Sequence, residues 1–343
     1  MRVIIAFFLI MLLTGLAYPG NRQTFMDILK PETIQVFDDE IFIIEGASIY
    51  IYSLEDFRLK KKFGKEGEGP REFKLSALGL TGHLICLSVL PDSIVVSSEN
   101  RISYFSREAE FLWEKRIPPP MVVDFAPLAK GFIGMSYKTD GNTPFFSVDL
   151  YNSEGKNIKE ACKHEIPHYK EGNTVLWKLE SKMPEFKTYK DSIFVAGTEE
   201  FVIDVYDANG KKLREIKRQY QRRKINRQER DEIIKIWQED FPSIRRQWDF
   251  FKKMIKIQEA FPAFRTFDII DDKIYVQTCK VENGRTEFFI FSIDGTLIKQ
   301  TLLPLAYRNL LNHFPYTIAK DKLYQLVENE ETENWELVIT QIN

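Results

Sequence analysis

From about residue 30 onward the chain alternates short apolar runs with polar turns, and nearly all of these runs carry a period of two rather than 3.6. Alternation of that kind predicts half-buried β-strands. One run recurs: 39–43 (DEIFI), 92–96 (DSIVV), 191–195 (DSIFV), 272–276 (DKIYV) and 321–325 (DKLYQ), with 130–134 (KGFIG) as a weaker sixth copy. In each, a polar turn precedes a β-rich strand. A second pattern follows in five copies without gaps, at 49–63, 102–116, 148–162, 203–217 and 288–302. Its fourth position is aromatic (Tyr52, Phe105, Tyr151, Tyr206, Phe291), and its eleventh is aliphatic (Leu59, Leu112, Ile158, Leu213, Ile298). Its eighth is Asp56, Ala109, Gly155, Gly210 or Gly295, where a tight turn calls for φ > 0. This is a hairpin, and the run before each Asp adds a further strand.

Four strands per unit, in six units starting 38 to 81 residues apart, predict an all-β fold, a six-bladed β-propeller of four-stranded blades. The aromatic fourth position is expected between adjacent blades. The sixth unit runs out after three strands. An exposed ladder would remain there, so residues 22–29 are expected to close the ring as its outer strand. The propeller domain is thus read as 22–343.

Two segments break the pattern. Residues 3–13 are continuously apolar behind Arg2, and Gly15 and Ala17 have the small-residue spacing of a signal-peptidase site. Residues 1–17 are therefore read as a secretory signal peptide cut before Tyr18, the alternative being a retained anchor. The run is short for a bilayer span, and no later stretch is long and apolar enough for one. A periplasmic, cell-surface or secreted location is expected. The second is an insertion at 218–262, between blades four and five. Asn226 with Glu229 makes a capping box, and Ile233, Ile234, Trp237 and Phe241 share a helical face. Pro242 then breaks the run, and Ser243 can cap a second helix carrying Ile244, Trp248, Phe251 and Ile255. A helical hairpin laid on the propeller is expected.

Composition adds less. The 343 residues are 44% apolar, 29% charged and 13% aromatic, which is ordinary for a globular chain. The net charge of -2 argues against a nucleic-acid partner. The distribution is uneven. Residues 211–257 hold sixteen Lys or Arg against seven Asp or Glu, a net of +9, which leaves -11 for the remainder. An acidic partner for the insertion is one reading, and pairing to the propeller itself is another. The three cysteines (Cys86, Cys162, Cys279) cannot all pair, and they are read as small buried apolar residues. Among the four histidines only His164 and His168 are close in sequence, and Pro167 lies between them. No metal site and no cofactor is expected from such spacings.

Residues 63–73 (FGKEGEGPREF) resemble the Gly-x-x-Gly-x-Gly-Pro-x-Glu-Phe segment of exported bacterial six-bladed propellers related to the NHL-repeat group. The repeats resemble that family across roughly 30–343. The resemblance implies an exported binding role rather than a reaction. The same glycines could pass for a phosphate cradle, but Pro70 and Phe73 lead into strand rather than into the helix such a cradle needs.

Catalytic residues are not evident: no acid/base pair, G-x-S-x-G elbow or metal spacing stands out. The expected function is non-enzymatic binding or scaffolding of a peptide, glycan or protein by a monomer, through the face bearing the insertion. Arg71, Trp177, Arg265, His313 and Tyr316 are the candidate ligand-binding residues. The alternative is a metal-dependent lactonase-like hydrolase or lyase at the channel mouth, for which Asp124, Glu185 and Asp268 are the available acids.

Overall fold

Each Asp-led run forms the second strand of a four-stranded antiparallel sheet, flanked by the strand before it and the hairpin after it. The structure, a computed structural model, describes residues 21–74, 85–99, 101–117, 122–141, 143–165, 168–171, 174–178, 184–197, 199–240, 245–253 and 255–342. The proposed signal peptide, His83 and Phe241–Ile244 lie outside these residues.

Six such sheets form the propeller. From inner to outer strand, blade 1 is Thr33–Phe37, Glu40–Glu45, Ser48–Ser53 and Leu59–Phe63. Blade 2 runs from Cys86–Val89 to Phe111–Arg116, and blade 3 from Val122–Leu128 to Asn157–Glu165. Blade 4 runs from Glu185–Tyr189 to Lys212–Lys217, and blade 5 from Phe264–Ile270 to Leu297–Leu303. Blade 6 takes Tyr316–Ala319, Lys322–Asn329 and Asn334–Gln341 from the end of the chain, and Asn21–Phe25 from its start as the outer strand. That last pairing is antiparallel, with Asn21 opposite Ile339 and Phe25 opposite Trp335.

The aromatic fourth position of the hairpin is buried, each time against the preceding blade. Tyr52 joins Leu326 and Trp335 of blade 6, Phe105 joins Phe42 and Ile49 of blade 1, and Phe291 joins Phe194 and Val205 of blade 4. Burying a ring of this size contributes about 4–6 kcal/mol as an upper bound. The eighth position has φ > 0 at Ala109, Gly155, Gly210 and Gly295; in blade 1 that conformation falls one residue later, on Phe57 rather than Asp56. The aliphatic eleventh position is exposed in all five copies. It marks strand propensity, not core.

Antiparallel order sorts the connections onto two faces. One face carries the tight turns between first and second strands, including Asp38-Asp39, Lys190-Asp191, Asp271-Asp272 and Lys320-Asp321. Lys190 pairs with Asp272 at 2.8 Å, Lys273 with Asp321 at 2.8 Å and Lys320 with Asp39 at 2.9 Å, so ion pairs link blades 4, 5, 6 and 1 there. The other face carries every blade-to-blade connection, the insertion among them. Asn21 enters the outer strand at the turn face, and Gln341 leaves there too.

The insertion begins as expected and ends differently. Helix α1 (Arg227–Asp240) opens on a capping box, Glu229 N to Asn226 Oδ1 and Asn226 N to Glu229 Oε2, each 2.9 Å. Its buried residues are Ile233 and Ile236, with Trp237 half-buried; the cluster around Ile233 includes Phe261 and Cys279, so this stripe is core. Of the second arm, the described residues show helix at 245–246 and the single turn α2 (Trp248–Phe251). Ile255 is not helical. Ile255–Lys256 pairs in parallel with Thr174–Lys178, which pairs with His168–Glu171, making an added three-stranded sheet. The two long connections thereby support each other, which a helical hairpin alone would not achieve.

Candidate functional site

The inner strands begin at the connection-bearing face and run down the channel. Counting back from the repeat's leading residue, the position six before it is Thr33, Cys86, Asp124, Glu185 or Thr266. The position four before it is Gln35, Ser88, Ala126, Lys187, Asp268 or Thr317. These two levels interact across blades. The Cys86 thiol donates to Asp124. Thr266 Oγ1 donates to Glu185 Oε2 at 3.0 Å, and the Phe267 amide donates to Glu185 Oε1 at 2.8 Å. Lys187 Nζ lies 3.2 Å from Asp268 Oδ1.

Blades 3, 4 and 5 thus bring Asp124, Glu185 and Asp268 together around one ammonium, while blades 6, 1 and 2 carry only uncharged residues there: Thr317, Thr33 with Gln35, and Cys86 with Ser88. Lys187 and Asp268 each keep 37% of their side-chain surface open to solvent although both lie on inner strands, so the pair is reached through the channel. The Asp268 charge, and then those of Glu185 and Asp124, hold the Lys187 ammonium well above its usual range. Burial pushes the Asp124 carboxyl up; the Cys86 hydrogen bond and the Lys187 charge only partly oppose this. The Cys86 thiol is raised by burial and then by Asp124, which leaves it a poor nucleophile. Burial likewise lifts Cys162 to about 12. Among the described residues no three His, Cys, Asp or Glu side chains are placed to share a metal ion.

Lys187 was invisible as a single residue, because a lysine in a strand reads as a solvated face. Registering the repeats on their leading residue would have put it level with Asp268.

Of the five candidate ligand residues, Arg71 and Trp177 stand apart, while Arg265, His313 and Tyr316 gather at the blade 5–6 connection. Arg71 is exposed in the blade 1–2 connection, 3.5 Å from Glu110. Trp177 sits in the added sheet, in register with His168 and Ile255. Arg265 is buried and donates to the carbonyls of Leu310 and Leu311 at 2.7 Å each, so it fastens the blade 5–6 connection. The His313 and Tyr316 rings meet at 4.7 Å. Tyr316 Oη donates to Gln277 Oε1 at 2.9 Å, and Gln277 Nε2 donates to Tyr307 Oη at 3.1 Å. Burial, then the Asp268 charge, drives the Tyr316 phenol far up. Tyr316 therefore borders the charged half of the channel, and Tyr307 links it to Arg265, whose guanidinium is 5.6 Å from the Tyr307 ring.

The glycine-rich segment is structural. Glu72 Oε2 takes the Gly69 amide at 2.8 Å, where a phosphate would otherwise bind. Arg101 holds the carbonyls of Glu68, Gly69 and Glu72, and Phe73 is fully buried. An open groove of about 600 Å³ lies at the root of the insertion, between 199–202 and 217–222. Part of the positive charge of 211–257 is engaged within the protein: Arg222 pairs with Glu199 and Arg223 with Glu229, Arg230 donates to the Ile257 carbonyl, and Arg214, on the outer strand of blade 4, donates to that of Ile293.

No protein-family model matches the chain, and no curated protein matches it. Among solved structures, a protein thought to be exported, from Bacteroides fragilis, is similar over 93% of both chains at 13% identity, with a TM-score of 0.54. A protein of unknown function from Bacteroides caccae matches 80% of this chain and 81% of its own at 8% identity and a TM-score of 0.41. Kluyveromyces lactis Hsv2 matches 91% of this chain and 99% of its own at 10% identity and a TM-score of 0.41. At these identities the likeness is one of fold.

Proposed function

We propose that this protein is an exported, non-enzymatic binding propeller that holds a peptide, glycan or protein partner on its connection-bearing face. One observation carries the reading: the insertion, the added sheet, the groove at 199–222 and the channel end bearing Asp124 and Glu185 all belong to one face, while tight ion-paired turns close the other. Ligand sites favour such concave places, where several elements converge. Export rests on residues 1–17, and kinship with NHL-repeat propellers on 63–73 and the blade repeats.

The hydrolase or lyase reading draws on the convergence of Asp124, Glu185 and Asp268. It is the weaker one, because Lys187 already serves as their counter-ion.

A masking experiment tests the proposal. Cysteine is introduced for Arg246 on one face or for Asp272 on the other, and each is coupled to a large polyethylene glycol maleimide. Native thiols compete poorly, Cys86 and Cys162 being raised in pKa and Cys279 buried. Partner capture from an envelope extract should be blocked by the modified Arg246→Cys and kept by the modified Asp272→Cys. The reverse pattern, or capture blocked by neither, would overturn it.

A further inference from the structure

The one turn of α2 contains three aromatics in four residues, Trp248, Phe250 and Phe251, and none of them is buried. Phe250 is 61% exposed and packs edge-on against Phe251, with centroids 5.6 Å apart. Arg245 and Arg246 precede the turn, Lys252 and Lys253 follow it, and all four are exposed. Against them stands only Asp249, which Lys252 engages, so four positive charges and one negative leave +3 on 245–253. The pairing of Ile255–Lys256 with the added sheet fixes the tip on the connection-bearing face. A segment that places no side chain in the buried core and keeps the Phe250 ring in water between two pairs of cations is arranged for contact.

We infer that this tip docks a polyanionic glycan of the polyuronate class, through Arg245, Arg246, Lys252 and Lys253 on its carboxylates and Phe250 against a sugar ring face. Charge complementarity selects a polyanion. Phe250 is the one exposed ring of the turn, and it offers too little apolar surface to hold a bilayer. The inference rests on the connection-bearing face being the working face.

The test is binding of the full mature protein to soluble polygalacturonate, with neutral dextran and anionic phosphatidylglycerol vesicles alongside. The wild type should bind polygalacturonate in a salt-dependent manner and ignore dextran. Arg245→Glu/Arg246→Glu should lose about tenfold or more, as expected when carboxylate contacts become repulsions. Phe250→Ala should weaken binding several-fold at every salt concentration. Lys211→Glu, an exposed charge reversal at the turn face, should bind as the wild type does. Equal loss in Lys211→Glu, no polygalacturonate binding, or binding to vesicles alone would overturn the inference. If the masking experiment succeeds while the tip variants bind polygalacturonate normally, only this inference fails.

Discussion

Trp335 Nε1 donates to the Leu29 carbonyl at 2.9 Å, joining the last blade to the connector that leads into the first. Phe25, Ile28 and Trp335 are buried in one cluster with Ile41 and Tyr52, so the amino-terminal strand closes the ring by packing as well as by its ladder. Trp335→Phe, which loses the hydrogen bond and some volume, should cost about 1 kcal/mol, and Trp335→Ala about 3–5 kcal/mol. Denaturant titration of both variants checks the ordering.

The hairpin glycines serve two purposes that can be separated. Gly295 has φ +96, and a Cβ there would come within 2.8 Å of Ile216 Cγ1 in the preceding blade. Gly46 has φ +55 and open space around it. Gly46→Ala should cost only the left-handed backbone penalty, about 1 kcal/mol, and Gly295→Ala clearly more. Equal melting temperatures would show that Ile216 yields without cost.

Asp124 gives a pH dependence. Its folded-state pKa is raised, so the stability linked to it is fully present below the unfolded-state value and is lost as pH rises through the folded-state value. Asp124→Asn should therefore melt higher than the wild type at neutral pH. The advantage should shrink as pH falls and vanish below about pH 3, where the carboxyl is protonated in both states. Paired melting curves across that range read the effect.

Lys187 is linked in the opposite sense. Its pKa is raised, so its contribution is present throughout the range below about pH 10 and is lost only as pH climbs through the folded-state value. Lys187→Met should destabilise by about 1 kcal/mol at neutral pH, a modest figure because water reaches the pair. Adding Asp268→Asn should recover part of the loss. A double variant worse than the single one would refute the counter-ion role.

What the sequence revealed was what repeats locally. The Asp-led turn, the inward aromatic and the capping box of Asn226 and Glu229 are each set by neighbours a few residues away, so their spacing is readable. The added sheet is not: Trp177 meets Ile255 through a parallel pairing of two residues, with no pattern long enough to show. Arg265 looked like a ligand arginine because its partners are backbone carbonyls of Leu310 and Leu311, which composition cannot reveal. The exposed aliphatic ring at Leu59, Leu112, Ile158, Leu213 and Ile298 repeats as faithfully as the buried aromatics, so periodicity located strands but did not rank their burial.

The functional reading turns on the inequality of the two faces, and hydrogen–deuterium exchange reads both at once. The mature protein is compared alone and with the envelope fraction it retains. Slowed exchange is expected in 199–202, 217–226, 245–263 and 304–315, with the turns at Asp38-Asp39, Lys190-Asp191, Asp271-Asp272 and Lys320-Asp321 unchanged. Protection confined to those turns or to the outer strands would contradict it.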